Sequence, residues 1–92
     1  MDYELAKQLE QAGFPQAGQG AWIGPADQLV WRAGEKVYVP TFEELVEALP
    51  RGYLRITRYV DRFVAVYGEY MYQTADGATA TEALARLWLA LQ

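Results

Sequence analysis

The chain has 92 residues, 52% of them hydrophobic and 14% aromatic, with a net charge of −4; this suffices for one apolar core and is too short for a core plus a separate catalytic subdomain. It contains no Cys, His, Ser or Asn, which excludes disulfides, zinc knuckles, iron–sulfur clusters, thiol nucleophiles and every Ser-His-Asp or Cys-His mechanism. Twelve acidic residues against eight basic ones also oppose nonspecific binding to a phosphate backbone, which needs clustered cations.

Residues 2–12 predict a first helix, with Leu5, Ala6, Leu9 and Ala12 at helical spacing, Gly13 just past its end and Phe14 placed to pack back on it. Its stripe is short and Ala-rich, so it is expected to bury little area and to lie on the outside of the domain or to mediate contacts. Residues 16–28, rich in Gly, Pro and Gln, lack periodicity and predict a loop, within which Trp22-Ile23 is an apolar pair. Residues 29–32 and 36–39 flank Ala33-Gly34-Glu35 and predict a β-hairpin ended by Pro40. Thr41, with Glu44 three residues on, predicts a capping box opening a helix whose stripe is Phe42, Leu45, Val46 and Leu49; Glu43 and Glu47 lie on its exposed side.

From Tyr53 onward the period falls to two. Leu54, Ile56 and Arg58 point one way and Tyr53, Arg55, Thr57 and Tyr59 the other. A tight turn at Val60-Asp61 or Asp61-Arg62 leads into a central strand over 63–67, and Gly68-Glu69 turns into a third strand over 70–74. Asp76-Gly77 is expected as the turn into a final helix capped by Thr79 and Glu82, with Leu84, Leu87, Trp88 and Leu91 as its apolar stripe. The predicted fold is α+β in the order α-β-β-α-β-β-β-α, an antiparallel sheet packed with amphipathic helices. One domain is expected over residues 1–92, divided into a helix at 1–15, a loop at 16–28 and a core at 29–92.

No catalytic, metal or cofactor site is expected. Asp61, Glu69 and Asp76 form the best carboxylate set, but turns are the ordinary home of such residues; Gly18, Gly20 and Gly24 lack phosphate-loop spacing. The expected function is therefore non-enzymatic protein binding, with Trp22, Trp31, Tyr38, Glu43 and Glu47 as contacts, since aromatic anchors and charged rims make interfaces. The alternative is a nucleic-acid or nucleotide binder using Arg55, Arg58, Arg62 and Tyr59 in the Arg/Tyr-rich stretch 51–62. No run approaches the roughly 18 to 20 apolar residues of a membrane span, and Met1-Asp2-Tyr3-Glu4 carries no basic signal region, so a cytoplasmic protein with no membrane partner is expected. A homodimer through a strand edge ending at Thr74, or through the 29–39 hairpin, is a further expectation left open.

The run Pro40-Thr41-Phe42-Glu43-Glu44-Leu45-Val46-Glu47-Ala48-Leu49, a short strand block and the closing Thr79-Ala80-Thr81-Glu82-Ala83-Leu84-Ala85-Arg86-Leu87-Trp88-Leu89-Ala90-Leu91 together resemble small phage and prophage proteins of the ABA-sandwich type, over residues 21–92. The resemblance implies a sheet between helices, a phage or mobile-element origin and a host or phage protein as partner. It carries over no catalytic residue. The ending is also similar to HicB-type antitoxins, where strands lead through a turn into a Glu-Ala-Leu helix; this chain departs from them in having no appended DNA-binding segment.

Overall fold

The computed structural model describes residues 1–29, 34–70 and 72–92. The elements run α1 (Tyr3–Gln11), β1 (Ala21–Ile23), β2 (Val37–Val39), α2 (Phe42–Ala48), β3 (Leu54–Arg58), β4 (Phe63–Tyr67), β5 (Gln73–Gly77) and α3 (Ala80–Ala90). This is the α-β-β-α-β-β-β-α order that the hydrophobic pattern predicts. No helix among the described residues is long and apolar enough to cross a membrane.

Each helix begins where a short polar side chain can take up orphan N–H groups. The Asp2 carboxylate accepts from the Leu5 N–H at 2.9 Å, and the Asp27 carboxylate reaches back from a distant turn to accept the Tyr3 N–H at 2.6 Å. α1 closes with both bonds of a Schellman ending, Gly13 N–H to the Glu10 carbonyl at 3.0 Å and Phe14 N–H to the Leu9 carbonyl at 2.9 Å. That ending turns Phe14 inward, where its ring meets Trp88 of α3 edge-on at 5.0 Å. α2 carries the complete Thr41–Glu44 capping box. At α3, Thr79 accepts from the Glu82 N–H at 3.1 Å, while the Glu82 carboxylate reaches Ala78 one residue before the cap.

β3, β4 and β5 form an antiparallel meander with β4 in the centre. α3 packs on β4 and β5, α1 packs on α3, and β1 and β2 pair on the far side of α1. The helical layer thus lies between a three-stranded sheet and a two-stranded ribbon. The layering is the reverse of a sheet between helices. It explains why Ala83, Leu84, Ala85, Leu87 and Trp88 are all buried, more of α3 than a single stripe covers. Ala83 and Ala85, about 200° apart around the helix, flank the Leu84, Leu87 and Trp88 stripe on either edge and widen the buried surface where neighbours approach closely.

Three local expectations are corrected. α1 is not peripheral: Leu5 and Leu9 are buried in the main core, while Tyr3 and Ala6 are buried in a second cluster with Ile23 and Val37. An Ala-rich stripe lets two layers approach the same helix instead of leaving it outside. The partner of β2 is β1, inside the stretch expected to be a loop, with Ala21 opposite Val39 and Ile23 opposite Val37. Leu29 makes one isolated antiparallel bridge to Ile23, and the rest of the strand expected at 29–32 lies outside the described residues. Finally, β5 occupies Gln73–Gly77 instead of 70–74, so Asp76-Gly77 is strand and not turn. Packing under α3 decides this. A Cβ on Gly77 would lie 2.7 Å from the Ala83 backbone nitrogen, so the small pair Ala75 and Gly77 belongs beneath the helix, and the bulky Tyr70 and Tyr72 are left out in solvent.

Trp88→Ala should therefore lower the unfolding free energy by about 3–5 kcal/mol, because it empties a core site. Gly77→Ala should destabilise through overpacking by about 1–3 kcal/mol. Val60→Ser, at a fully exposed hairpin tip, should stay within about 0.5 kcal/mol of the parent. Urea denaturation of the three variants checks the ranking.

Candidate protein-interaction surface

A hydrogen-bonded joint holds the ribbon to α2. Tyr38 on β2 is 1% exposed, and its hydroxyl donates to Glu44 Oε1 at 2.6 Å while accepting the Gly20 N–H at 2.6 Å. Glu44 Oε1 also closes the capping box on the Thr41 N–H at 2.8 Å, and Oε2 accepts the Gln19 N–H at 3.1 Å. The Gln16 side chain accepts the Tyr38 N–H at 2.9 Å. Residues 16–20 are thus a strap drawn against β2 and α2. Gly18, at φ +148, is required there, since a Cβ would collide with the Glu44 carboxylate.

The electrostatics of this joint follow from who donates. The Tyr38 hydroxyl, then the Thr41 and Gln19 N–H groups, hold the Glu44 carboxyl below the usual carboxylate range. Burial, followed by the hydrogen bond to Glu44, pushes the Tyr38 hydroxyl up.

Tyr38 is consequently a core residue and not a partner contact, correcting the expectation from sequence; its position rests on burial and a satisfied hydroxyl. Trp22 stands half-buried beside it, edge-on at 5.4 Å, with Lys36 Nζ 4.8 Å from the centre of its ring. Trp31 lies outside the described residues. Glu43 and Glu47 are exposed and line a groove of about 520 Å³ between α2 and the strap, floored by Phe14, Pro15 and Ala17. The aromatic and acidic contacts expected from sequence are therefore distributed, with Trp22 on the ribbon and the acidic pair on α2.

The other exposed surface is the side of the meander turned away from α3. Register sets its membership: Leu54 and Ile56 face the core opposite Tyr67 and Ala65, so Arg55 and Thr57 face outward opposite Val66 and Val64. Thr74 and Asp76 of β5 complete the row. At one end Tyr53, Arg55, Val66, Gly68, Glu69 and Tyr72 line a shallow depression of about 290 Å³, with Tyr53 67% and Tyr72 62% exposed. At the other end Arg62 sits 5.2 Å from the centre of the Tyr59 ring, with its Nε 3.9 Å from Asp76 and a terminal nitrogen 3.5 Å from Asp61.

These positions divide the proposed nucleic-acid set. Arg55, Tyr59 and Arg62 share the outer face, whereas Arg58 falls in the core-facing row with Leu54 and Ile56 and is exposed only because it ends the strand. Arg62 is offset by two carboxylates, which leaves Arg55 as the outer-face cation without an ion pair among the described residues. Tyr53 and Tyr72 stand out in the sequence as strand aromatics able to make contacts, whereas Val66 does not. Alternation on β3 places Tyr53 beside Arg55, and the start of β5 at Gln73 puts Tyr72 just before the strand instead of within it. No protein-family model matches the chain, and no match is found among the curated proteins or the solved structures.

The Tyr38–Glu44 joint sets a pH profile. Glu44, with a lowered folded pKa, contributes stability that is present above the unfolded glutamate value and is lost as pH falls through the folded one. Tyr38, with a raised folded pKa, contributes stability that is present below the unfolded tyrosine value and is lost as pH rises through the folded one. Tyr38→Phe should cost about 1–3 kcal/mol at neutral pH by stranding the Gly20 donor and the Glu44 acceptor. It should also flatten both limbs, as read from urea midpoints across pH.

Proposed function

We propose that this chain is a non-catalytic protein-interaction module. Its principal contact surface is the outer face of the β3–β5 sheet around Tyr53, Arg55, Val66 and Tyr72. The observation that carries this is the exposure of two tyrosines and an arginine around an apolar strand, on a sheet face that no helix covers among the described residues. Tyr and Arg are the residue types that dominate interface energetics, and an apolar centre within a polar rim is interface anatomy. The outer face also follows from the fold, because α3 engages only one side of the meander.

A phage- or prophage-encoded origin and a host or phage protein as the target belong to the same proposal; they rest on the helix sequence patterns shared with phage ABA-sandwich proteins and not on the layering, which departs from a sheet between helices. The acidic rim of Glu43 and Glu47, with Trp22 on the neighbouring ribbon, is the second place such a partner would touch. Nucleic-acid binding has narrower support, the placement of Arg62 against Tyr59 beside Arg55. The carboxylates of Asp61 and Asp76 and the opposite facing of Arg58 count against a continuous cationic track.

A photo-crosslinking residue in place of Tyr72 should trap one protein in the producing cell, and the same residue in place of the exposed Glu4 on α1 should trap none. With that protein purified, Tyr53→Ala/Tyr72→Ala should weaken binding about 30-fold, equivalent to ~2 kcal/mol. The melting temperature should be unchanged. Loss of binding with Glu43→Lys/Glu47→Lys alone would move the contact to α2, and no protein trapped from either face would overturn the proposal.

A further inference from the structure

The edges of the meander differ, and the hydrogen-bond phase shows how. Gly68 N–H donates to the Tyr53 carbonyl at 3.0 Å and Tyr59 N–H donates to the Arg62 carbonyl at 2.7 Å. Those bonds fix Arg55 and Thr57 as the β3 residues bonded inward to β4. Leu54, Ile56 and Arg58 therefore turn their N–H and C=O groups away from the sheet, and among the described residues nothing pairs with them. On the opposite edge the same phase turns Asp76 outward, and there Arg86 of α3 covers the strand by donating to the Asp76 carbonyl at 2.9 Å. One outward carbonyl of the β5 edge is taken up by the protein's own helix, whereas among the described residues no outward group of the β3 edge is taken up.

The open edge lies between two depressions. On the helix side Val46, Leu49, Pro50, Arg51 and Leu54 line one of about 260 Å³; on the outer side lies the depression of Tyr53, Arg55, Val66 and Tyr72. A strand laid along β3 would send alternate side chains toward each. Charge selects its composition. β3 carries Arg55 and Arg58 and no acidic residue, and Arg51 precedes it; Glu47 and Glu69 are the acidic residues at the margins of the two depressions. A second copy of β3 would bring four arginines onto adjacent short strands, whereas an acidic segment would neutralise two.

We propose that the free edge of β3 accepts an added strand from the partner: an extended acidic segment paired through the outward backbone groups of Leu54, Ile56 and Arg58. Its acidic side chains meet Arg55 and Arg58, and its apolar ones enter the helix-side depression beside Leu54. Backbone pairing supplies affinity and the two depressions supply selectivity. The inference rests on the chain being a protein-interaction module and names the chemistry of what that module holds.

The test is amide hydrogen exchange by NMR on the full chain, with an end-capped ten-residue peptide alternating Glu and Val and ending in two Glu. In the free protein the Leu54, Ile56 and Arg58 amides should exchange quickly while those of Arg55 and Thr57 are protected. Peptide at about ten times its dissociation constant should slow the three edge amides about tenfold. The same peptide with Lys for Glu should not. Arg55→Glu should weaken binding by about tenfold or more through charge. Arg58→Pro should do so by removing an edge N–H at a position where an edge strand tolerates proline. Both variants should keep the parent's unfolding transition.

Equal protection by the Lys peptide, or none by the Glu peptide, would overturn the proposal. So would edge protection that rises with protein concentration alone, which would mark a second copy as the occupant, or protection by an oligonucleotide instead of the peptide. If Tyr53 and Tyr72 resonances move with peptide while the edge amides stay unprotected, strand addition fails and the outer-face interaction stands.

Discussion

The hydrogen bond from the Tyr38 hydroxyl to the Glu44 carboxylate is the constraint on which the first half of the structure depends. A two-stranded ribbon of three-residue strands is marginal by itself, and the cluster beneath it, Tyr3, Ala6, Ile23 and Val37, is small. The joint anchors the ribbon to α2 at a point where one carboxylate already completes a helix cap. Because Glu44 is held ionised and Tyr38 neutral, every donor and acceptor at the joint is matched, and no buried side-chain polar atom is left without a partner among the described residues. The strap of residues 16–20 owes its path to the same carboxylate. Without that bond the Gln19 and Gly20 N–H groups would have to find water, and the strap would lose the reason for its close approach at Gly18.

The second half rests on a different force. α3 contributes a nearly continuous apolar surface to β4 and β5, and burial of a side chain such as Leu84 or Leu87 is worth about 1.5–3 kcal/mol. A single helix can close only one face of a three-stranded sheet. Among the described residues the outer face and the β3 edge are left uncovered for that reason, while on the β5 edge, next to α3, Arg86 takes up the Asp76 carbonyl as a consequence of the same packing. The asymmetry that defines the candidate interface is thus produced by where the one large helix sits.

The features legible in the sequence were those encoded within a few neighbouring residues. Asp2, Thr41 and Thr79 announce the helix starts through local hydrogen bonds, Gly13-Phe14 announces the end of α1, and alternation at Leu54, Ile56 and Ala65 announces the sheet. What stayed hidden depends on partners far along the chain. β1 is three residues among Gly, Pro and Gln and becomes a strand only because β2 is there to pair with it. β5 takes its register from the space under α3, against the preference of Tyr70 and Tyr72 for strand. Tyr38 looks like any surface aromatic on a short strand until Glu44 and Gly20 are seen to enclose its hydroxyl. For the site, alternation on β3 already sets Arg55 and Tyr59 against Arg58, whereas the neutralisation of Arg62 by Asp76 is a fact of tertiary contact.

Register also decides what kind of interface the arginines can make. Had Arg55, Arg58 and Arg62 shared one face without counter-charges, they would form a cationic stripe suited to phosphates. Instead Arg55 and Arg58 straddle a strand edge whose outward backbone groups are unpaired among the described residues, and Arg62 is turned to Asp61 and Asp76. Charges that alternate across an edge match the geometry of an extended chain, whose side chains also alternate, better than they match a phosphate backbone lying over a face. The acidic balance of the whole chain sharpens that preference, since a net charge of −4 repels polyanions at long range while two local arginines attract a short acidic segment within a Debye length. Specificity in such a site would come from the contrast between a repelling protein and an attracting edge.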